Sequence, residues 1–232
     1  MPYLQREGDV FILYLGNEGQ TDSENRFHPD WIDEVHANLD EVEASEGQAS
    51  LVTTATGKFY SNGLDTDWLF GNLDKMHWYL DRVHSIFARL LTFQLPTVAA
   101  INGHAFGAGA MTATSHDFRV MKSDRGFYTL PEVKLNMPFT IGMNALITGR
   151  LGSQVAVATM TTGDRLGGPE ALAKGIVDAT AEGDGVLAAA VERAAGLASN
   201  RGPNLTRIKT DLHAPVLAAL NTPNTPENLK FG

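Results

Sequence analysis

The composition of this 232-residue chain is that of a globular protein: 43% of the residues are apolar and 19% are charged, which excludes a disordered, collagen-like or coiled-coil chain. The length suffices for one large domain with its own core, and the absence of cysteine excludes disulfides, cysteine-ligated metals and a thiol nucleophile. The net charge is −9, and no segment combines clustered basic residues with aromatic ones, so we expect no nucleic-acid partner.

The first half of the chain alternates short apolar runs with amphipathic segments. Strands are predicted over residues 11–15 and 51–56, and the second run is rich in β-branched side chains. Between them, apolar residues recur at helical spacing after Pro29. Residues 60–66 are predicted as a loop. The clearest helix covers residues 72–93, where apolar side chains return every three to four positions.

The second half continues the alternation and then becomes helical. A strand over residues 98–101, a helix over 105–115 and a strand over 118–121 are predicted in succession. The last 70 residues are predicted to be mostly helical, with a helix over 205–220 that breaks near Pro215. Because strands and helices interleave along the chain, we predict a mixed α/β domain.

Neither a membrane segment nor a targeting signal is predicted. The longest stretch without a charged residue, 90–116, contains glycine, proline and amide side chains, and it is interpreted as buried core. The apolar run near the N-terminus is too short and too acidic at its flanks for a signal peptide. The sequence ends in Leu-Lys-Phe-Gly rather than the peroxisomal Ser-Lys-Leu. We therefore expect a cytoplasmic protein without a membrane partner.

Common cofactor and nucleophile motifs are missing from the sequence. There is no GxGxxG dinucleotide fingerprint, no GxxxxGK[ST] phosphate loop, no HExxH zinc motif and no GxSxG nucleophile elbow. The seven histidines are scattered without a ligand-like pair. We therefore expect neither a metal ion nor a redox cofactor.

Two glycine-containing loops and one glutamate are the remaining candidates for chemistry. The loops cover residues 59–65 and 102–110. Small residues let a backbone approach a ligand, and two outward N–H groups can hold a developing oxyanion. Glu132 follows a proline and precedes apolar residues, and such surroundings raise a carboxyl pKa until the group becomes a usable base. Taken alone, each feature is more often a structural turn or a solvated acid.

These segments combine into a more specific signature. Residues 96–110 read Pro-Thr-Val-Ala-Ala-Ile-Asn-Gly-His-Ala-Phe-Gly-Ala-Gly-Ala, residues 116–119 read His-Asp-Phe-Arg, and residues 130–132 read Leu-Pro-Glu. The loop over 59–65 is similar to the pattern F-S-x-G-x-D, and residues 162–178 match a later segment. Together they resemble the enoyl-CoA hydratase/isomerase (crotonase) superfamily.

That resemblance implies an α/β fold, a spiral of ββα units with a helical C-terminal region. We expect a core over residues 1–195 and a helical trimerisation segment and tail over 196–232. The resemblance also implies a homotrimer or hexamer and an acyl-CoA thioester substrate, so that coenzyme A is part of the substrate and no separate cofactor is needed.

The site residues follow from the same resemblance. It implies that the thioester carbonyl lies between the backbone N–H groups of Leu64 and Ala108, and that Glu132 is the catalytic base. The other residues predicted to contact the substrate are Arg26, Ser61, Asn62, Gly63, Asp65, Gly107, Met111 and Phe139. The candidates for an acyl-chain tunnel, or for ordinary core, are Trp68, Leu69, Phe70 and Trp78.

One departure from the family pattern bears on the reaction. Family hydratases carry two glutamates, and the first of these positions is occupied here by Met111, whereas the second is Glu132. Addition of water needs a second proton-handling group, which methionine cannot supply, whereas a 1,3-proton shift needs one base. The pattern therefore favours a Δ3,Δ2-enoyl-CoA isomerase, in which Glu132 moves a proton from C2 to C4 through an oxyanion-stabilised dienolate. Met111 is equally compatible with a helix core residue placed by packing.

Other functions stay open at the level of sequence. The same scaffold serves other acyl-CoA reactions, such as hydration or thioester hydrolysis, and a non-catalytic acyl-CoA-binding protein would carry the same loops. The basic side chains Arg207 and Lys209 are candidates for contact with CoA phosphates or for a solvated helix face.

Overall fold

A computed structural model describes residues 1–229. Lys230, Phe231 and Gly232, on which the expectation of a missing peroxisomal signal rests, lie outside the described residues. The strands are β1 (Tyr3–Glu7), β2 (Val10–Tyr14), β3 (Ser50–Thr54), β4 (Phe59–Ser61), β5 (Thr97–Ile101), β6 (His104–Phe106), β7 (Phe118–Lys122), β8 (Tyr128–Thr129) and β9 (Ala179–Ala181). The α-helices are α1 (Pro29–Ala44), α2 (Thr66–Gly71), α3 (Met76–Leu91), α4 (Ala108–Thr114), α5 (Ile141–Arg150), α6 (Ser153–Thr162), α7 (Gly168–Ala173), α8 (Gly185–Ala195), α9 (Pro203–Leu212) and α10 (Ala214–Leu220).

The strands divide between two sheets in a regular alternation. The larger sheet has the order β1-β2-β3-β5-β7-β9, and the smaller sheet has the order β4-β6-β8. β1 and β2 pair antiparallel, and the other pairs of these strands are parallel. Along the chain, β3, β5 and β7 of the large sheet are each followed by a strand of the small sheet. This arrangement confirms the predicted spiral of ββα units with its helical C-terminal region.

The central strands of the large sheet are buried on both faces. Because side chains alternate along a strand, Leu51 joins the main core with α1 and α3, whereas its neighbour Val52 joins a second apolar cluster. That second cluster is closed by α8, which contributes the small side chains of Ala190 and Ala194. The large sheet is thus a layer packed on both faces, and the small sheet, from which the loops after β4 and β6 project, follows its strands β3 and β5 along the chain.

The long predicted elements are confirmed. The amphipathic segment over 72–93 contains α3, and the segment after Pro29 is α1. The C-terminal region is helical, and α9 gives way to α10 at His213, two residues before Pro215. α10 packs on α5 and α3. Within residues 1–229, no helix is both long enough and apolar enough to span a bilayer.

Two predictions for short segments are wrong. The loop over 60–66 contains the end of β4 and the start of α2. The helix over 105–115 begins too early, because β6 occupies His104–Phe106 and α4 starts only after a turn at Gly107 with φ +51°. Strands of three residues are too short to show a period of two, so the sequence pattern did not separate them from loop or helix.

An ion pair between a buried lysine and a half-buried aspartate ties α9 to the residue before β7. The Lys209 Nζ lies 2.6 Å from Asp117 Oδ2, and it donates hydrogen bonds to the carbonyl oxygens of Phe93 at 3.1 Å and Leu95 at 2.8 Å. Lys209 is only 4% exposed. It is therefore an anchor of the C-terminal helices, and both roles considered for it from the sequence are wrong. Arg207, by contrast, lies on the solvated face.

Candidate active site

An apolar cavity of about 540 Å³ lies where β4 and β6 end. Its walls are the loops after these two strands, the segment over 131–140, and helices α2, α3 and α5. Of the charged side chains among the described wall residues, Glu132 is the one acid, and Arg26 and Arg165 are the bases. A cavity of this size and character fits a ligand with an apolar chain and a polar head.

The first loop is shaped by a glycine and a buried serine. Gly63 has φ +84°, and a methyl group in place of its hydrogen would lie 2.6 Å from the Phe106 carbonyl oxygen, so only glycine fits. The buried Ser61 donates through Oγ to the Asn25 carbonyl oxygen at 2.7 Å and accepts from the Gly63 N–H at 3.1 Å. These contacts hold Leu64 at the cavity wall.

The second loop turns at Gly107 and enters α4. The residue after the turn, Ala108, is the first residue of the helix, and both line the cavity. Gly109 lies so close to the first loop that an added methyl group would sit 2.5 Å from the Ser61 carbonyl oxygen. The two loops are therefore in direct backbone contact.

The two backbone N–H groups predicted for the oxyanion hole have no hydrogen-bond acceptor among residues 1–229. The Leu64 N–H lies outside any helix or strand and makes no backbone or side-chain bond, and the Ala108 N–H is an unpaired donor of the first helical turn. A methyl group on Gly63 would lie 3.2 Å from the Ala108 nitrogen, so the two loops approach closely at this point. Two unpaired donors on one cavity wall can hold a developing oxyanion.

Glu132 places its carboxylate in the same cavity. It begins a short 3₁₀ turn, Glu132–Leu135, and is 8% exposed. Its Oε2 has no hydrogen-bond partner among the described residues, and its Oε1 lies 3.2 Å from the position that a methyl group on Gly107 would take. Burial raises the pKa of Glu132 to about 7. The carboxyl therefore titrates near neutral pH, beside the second loop.

Arg26 and Asn62 line the cavity, and both are held by acids. The Arg26 Nε lies 2.5 Å from Glu24 Oε2, and its Nη1 lies 2.8 Å from Asp67 Oδ2. The Asn62 Nδ2 donates to the same Glu24 oxygen at 3.1 Å. The guanidinium therefore stays charged, because its hydrogen bond to Glu24 raises its pKa further.

Ser61, Gly63, Asp65 and Phe139 are not among the residues that line the cavity. Asp65 caps α2, since its Oδ1 accepts the Trp68 N–H at 3.1 Å. Phe139 is half-buried against the main core. None of the four therefore forms part of the cavity wall, and Ser61 and Asp65 instead support the loop and the helix that follow β4.

Met111 is fully buried in the main core and is also absent from the cavity wall. It lies in α4, where its N–H donates to the Gly107 carbonyl oxygen at 3.0 Å. This placement corresponds to the core-residue alternative. The position that holds a second glutamate in family hydratases therefore brings no carboxylate to this cavity.

Distant segments supply further wall residues that were not predicted from the sequence. Leu80 comes from α3, Met143 from α5, Arg165 from the loop after α6, and Leu229 from the C-terminal tail. The amphipathic pattern of α3 marks Leu80 as inward-facing, but no sequence pattern marks Arg165 or Leu229.

The tunnel candidates after the first loop divide between wall and core. Leu69 and Phe70 line the cavity, whereas Trp68 packs against Tyr79, with 5.1 Å between ring centroids. Trp78 is 48% exposed. Among residues 1–229, no group of three or more histidine, aspartate and glutamate side chains is arranged to hold a metal ion.

Comparison with known proteins shows the family to which the chain is similar. Residues 20–229 match the family model described as Enoyl-CoA hydratase/isomerase. The chain is 37% identical over 206 residues to Enoyl-CoA delta isomerase 3 of Arabidopsis thaliana, with 85% of each chain covered. It is 35% identical over 208 residues to Enoyl-CoA delta isomerase 2, peroxisomal, of the same plant, again with 85% of each covered.

The fold also matches a solved structure. Human mitochondrial delta3-delta2-enoyl-CoA isomerase is similar with a TM-score of 0.86 at 20% identity, over 95% of this chain and 86% of that one. At this identity the likeness concerns the fold, and it agrees with the alternation of strands between two sheets.

Proposed function

The chain belongs to the enoyl-CoA hydratase/isomerase family of enzymes, and we propose that it is an isomerase that converts a 3-enoyl-CoA into the conjugated 2-enoyl-CoA. The observation that carries the proposal is the buried carboxyl of Glu132, which lies in one apolar cavity with Leu64 and Ala108. Within residues 1–229, the Glu132 Oε2 and the N–H groups of Leu64 and Ala108 have no hydrogen-bond partner. The relatives named enoyl-CoA delta isomerase support the same reaction.

The proposed reaction needs one base and one oxyanion hole. Ionised Glu132 takes a proton from C2 of the 3-enoyl thioester, and the electron pair left behind is delocalised onto the thioester oxygen. The resulting dienolate oxygen accepts hydrogen bonds from the Leu64 and Ala108 N–H groups. Protonated Glu132 then returns the proton to C4, the C2–C3 double bond forms, and the carboxylate is regenerated.

The environment of Glu132 suits both halves of this cycle. With a pKa of about 7, the group is ionised in a substantial fraction of molecules at neutral pH and, once protonated, is an effective acid. Its surroundings include Leu135, Met137 and Pro138, which keep water from the reacting carbon atoms. Each oxyanion donor is expected to contribute about 10²–10³-fold to the rate.

The positions of charged and apolar wall residues support one orientation of the substrate in the cavity. Arg165 offers positive charge to the phosphates of coenzyme A, whereas the charge of Arg26 is balanced by Glu24 and Asp67. An apolar surface for the acyl chain comes from Leu80, Met143 and Leu229. The thioester would then lie between these two regions, next to Glu132. Coenzyme A is part of the substrate in this proposal.

The test is a direct assay of purified protein. A 3-enoyl-CoA and, separately, a 2-enoyl-CoA are incubated with the protein and the products are separated chromatographically. We expect the 3-enoyl ester to become the 2-enoyl ester, and Glu132→Gln to lower the rate by about 10³-fold. Glu41→Gln, which changes an exposed acid of α1, is the matched control.

Each of the other functions would give its own result in this assay. Formation of a 3-hydroxyacyl-CoA from the 2-enoyl ester would indicate a hydratase, and release of free coenzyme A would indicate a thioester hydrolase. Tight binding of both esters without turnover would indicate an acyl-CoA-binding protein. Full activity of Glu132→Gln would contradict the assignment of the base.

We also propose that the chain assembles as a homotrimer or hexamer through its C-terminal segment over 196–232. Ile208 and Leu212 of α9 support this, because they expose 54% and 67% of their surface in the isolated chain. Light scattering coupled to size-exclusion chromatography is expected to give the mass of three or six chains, and a single-chain mass would contradict the proposal. The cytoplasmic location stays a prediction.

A further inference from the structure

We propose that a buried hydrogen-bond chain, which runs from Tyr60 through Thr53 and His116 to α4, sets the spacing between the two N–H groups of the oxyanion hole. Thr53 and His116 are then positioning residues for the reaction, although neither lines the cavity. The inference rests on the proposed function for the role of those two N–H groups, and it adds the means by which the fold holds them.

The chain consists of four short contacts. The Tyr60 hydroxyl lies 2.7 Å from Thr53 Oγ1, and the same Oγ1 lies 2.9 Å from His116 Nε2. The His116 Nδ1 lies 2.8 Å from the Thr112 carbonyl oxygen. The Thr112 Oγ1 in turn donates to the Ala108 carbonyl oxygen at 2.9 Å. The chain therefore ends on the residue that offers the second oxyanion donor.

The donor and acceptor roles in these hydrogen bonds can be assigned in only one way. A carbonyl oxygen only accepts, so the proton of His116 is on Nδ1. Burial lowers the pKa of His116 to about 4, so the ring is neutral and its Nε2 accepts from the Thr53 hydroxyl. Thr53 Oγ1 then accepts from the Tyr60 hydroxyl. Each side chain of the hydrogen-bond chain thus has a partner, and a buried network in which every polar group is hydrogen-bonded specifies one arrangement of its parts.

The members lie on the elements that carry the two oxyanion loops. Tyr60 is in β4, which leads directly into the loop with Leu64, and Thr112 is in α4, which begins at Ala108. Thr53 is in β3, inside the large sheet, and it joins the two. None of these side chains is more than 2% exposed. Hydrogen bonds are directional whereas apolar contacts are not, so this chain restricts the sliding of α4 against β4.

The strand β3 offers a matched control. Thr53 and its neighbour Thr54 are each 1% exposed, and each uses its Oγ1 in a buried hydrogen bond. Thr54 donates to the Ala100 carbonyl oxygen at 3.1 Å. Because successive side chains point to opposite faces, Thr54 has no contact with the chain to α4. A valine at either position removes one buried hydroxyl at nearly constant shape.

The experiment compares Thr53→Val, Thr53→Ser and Thr54→Val in the full-length protein. We expect Thr53→Val to lower kcat about tenfold with little change in KM, because binding contacts remain while the donors shift. Thr53→Ser, which retains the hydroxyl, is expected to restore most of the rate. Thr54→Val is expected to keep the wild-type kcat and to lose as much thermal stability as Thr53→Val. Equal kcat for the two valine variants would overturn the proposal.

A second measurement separates this inference from the isomerase activity. A bound 3-ketoacyl-CoA forms an enolate that absorbs in the near ultraviolet, and an oxyanion hole lowers the pH at which that enolate appears. We expect Thr53→Val to raise this pH relative to the wild type and Thr54→Val to leave it unchanged. This result would support the positioning role even if the wild type did not isomerise 3-enoyl-CoA. A wild type that stabilises no enolate would overturn the proposal.

Discussion

The buried carboxyl of Glu132 has a direct consequence for the pH dependence of stability. Its pKa is about 7 in the folded protein, against a usual value of 4.5. Between these values the unfolded chain releases a proton that the folded protein retains, so the free energy of unfolding falls as the pH rises. Glu132 does not lower the free energy of unfolding below pH 4.5, and above that pH it lowers it by about 1.4 kcal/mol per pH unit. Above pH 7 the total loss in the free energy of unfolding is about 3 kcal/mol.

The substitution Glu132→Gln removes this titration while it retains the shape of the side chain. Urea denaturation of both proteins at a series of pH values gives the difference in their free energies of unfolding, and groups that titrate in both proteins cancel. We expect the variant to gain about 3 kcal/mol relative to the wild type as the pH rises through this interval. Glu41→Gln is expected to give a difference that does not change with pH.

A flat difference for Glu132→Gln across the same interval would contradict this expectation. It would mean that the folded and unfolded states bind this proton equally, so that burial does not raise the pKa of Glu132. A difference of opposite sign would mean that the ionised form is stabilised in the fold. Either result would remove the physical basis on which Glu132 is assigned as a base at neutral pH.

Three further outcomes are expected. The kcat/KM for isomerisation should rise as the pH passes about 7, because Glu132 must be ionised to take the C2 proton, and a profile that is already flat at lower pH would contradict this. Lys209→Met leaves half-buried Asp117 without its cation and should lower the free energy of unfolding by about 3 kcal/mol in urea denaturation, whereas Arg207→Gln should change it little. Leu229→Phe enlarges a wall residue and should lower kcat/KM more for long than for short 3-enoyl-CoA substrates, and an equal loss at every length would exclude a role in chain-length selection.

Features that depend on neighbours in the sequence were predictable from it. Helices α1 and α3 follow from apolar spacing along each segment. The sequence marks two glycine-containing loops as close to a ligand, and both loops line the cavity. Glu132 was identified because its motif is local. For these features the pattern and the structure describe the same interactions.

Which residues face the cavity depends on packing between segments that are distant in the sequence. Ser61 and Met111 belong to the right segments, but the close packing of β4 against α4 buries both. Leu229 reaches the wall from the end of the described chain. In strands of three residues the facing direction depends on the partner strand, and no local period records it.

The amino acids supply the chemical groups of the site, whereas the ionisation and hydrogen bonding of those groups depend on folding. Glu132 has a raised pKa because apolar residues from several elements exclude water from it. Thr53 meets His116 across a sequence separation of 63 residues. Desolvation and hydrogen-bond partnership depend on neighbours that the fold assembles, so the placement of the Glu132 carboxyl in one cavity with Leu64 and Ala108 appears only in three dimensions.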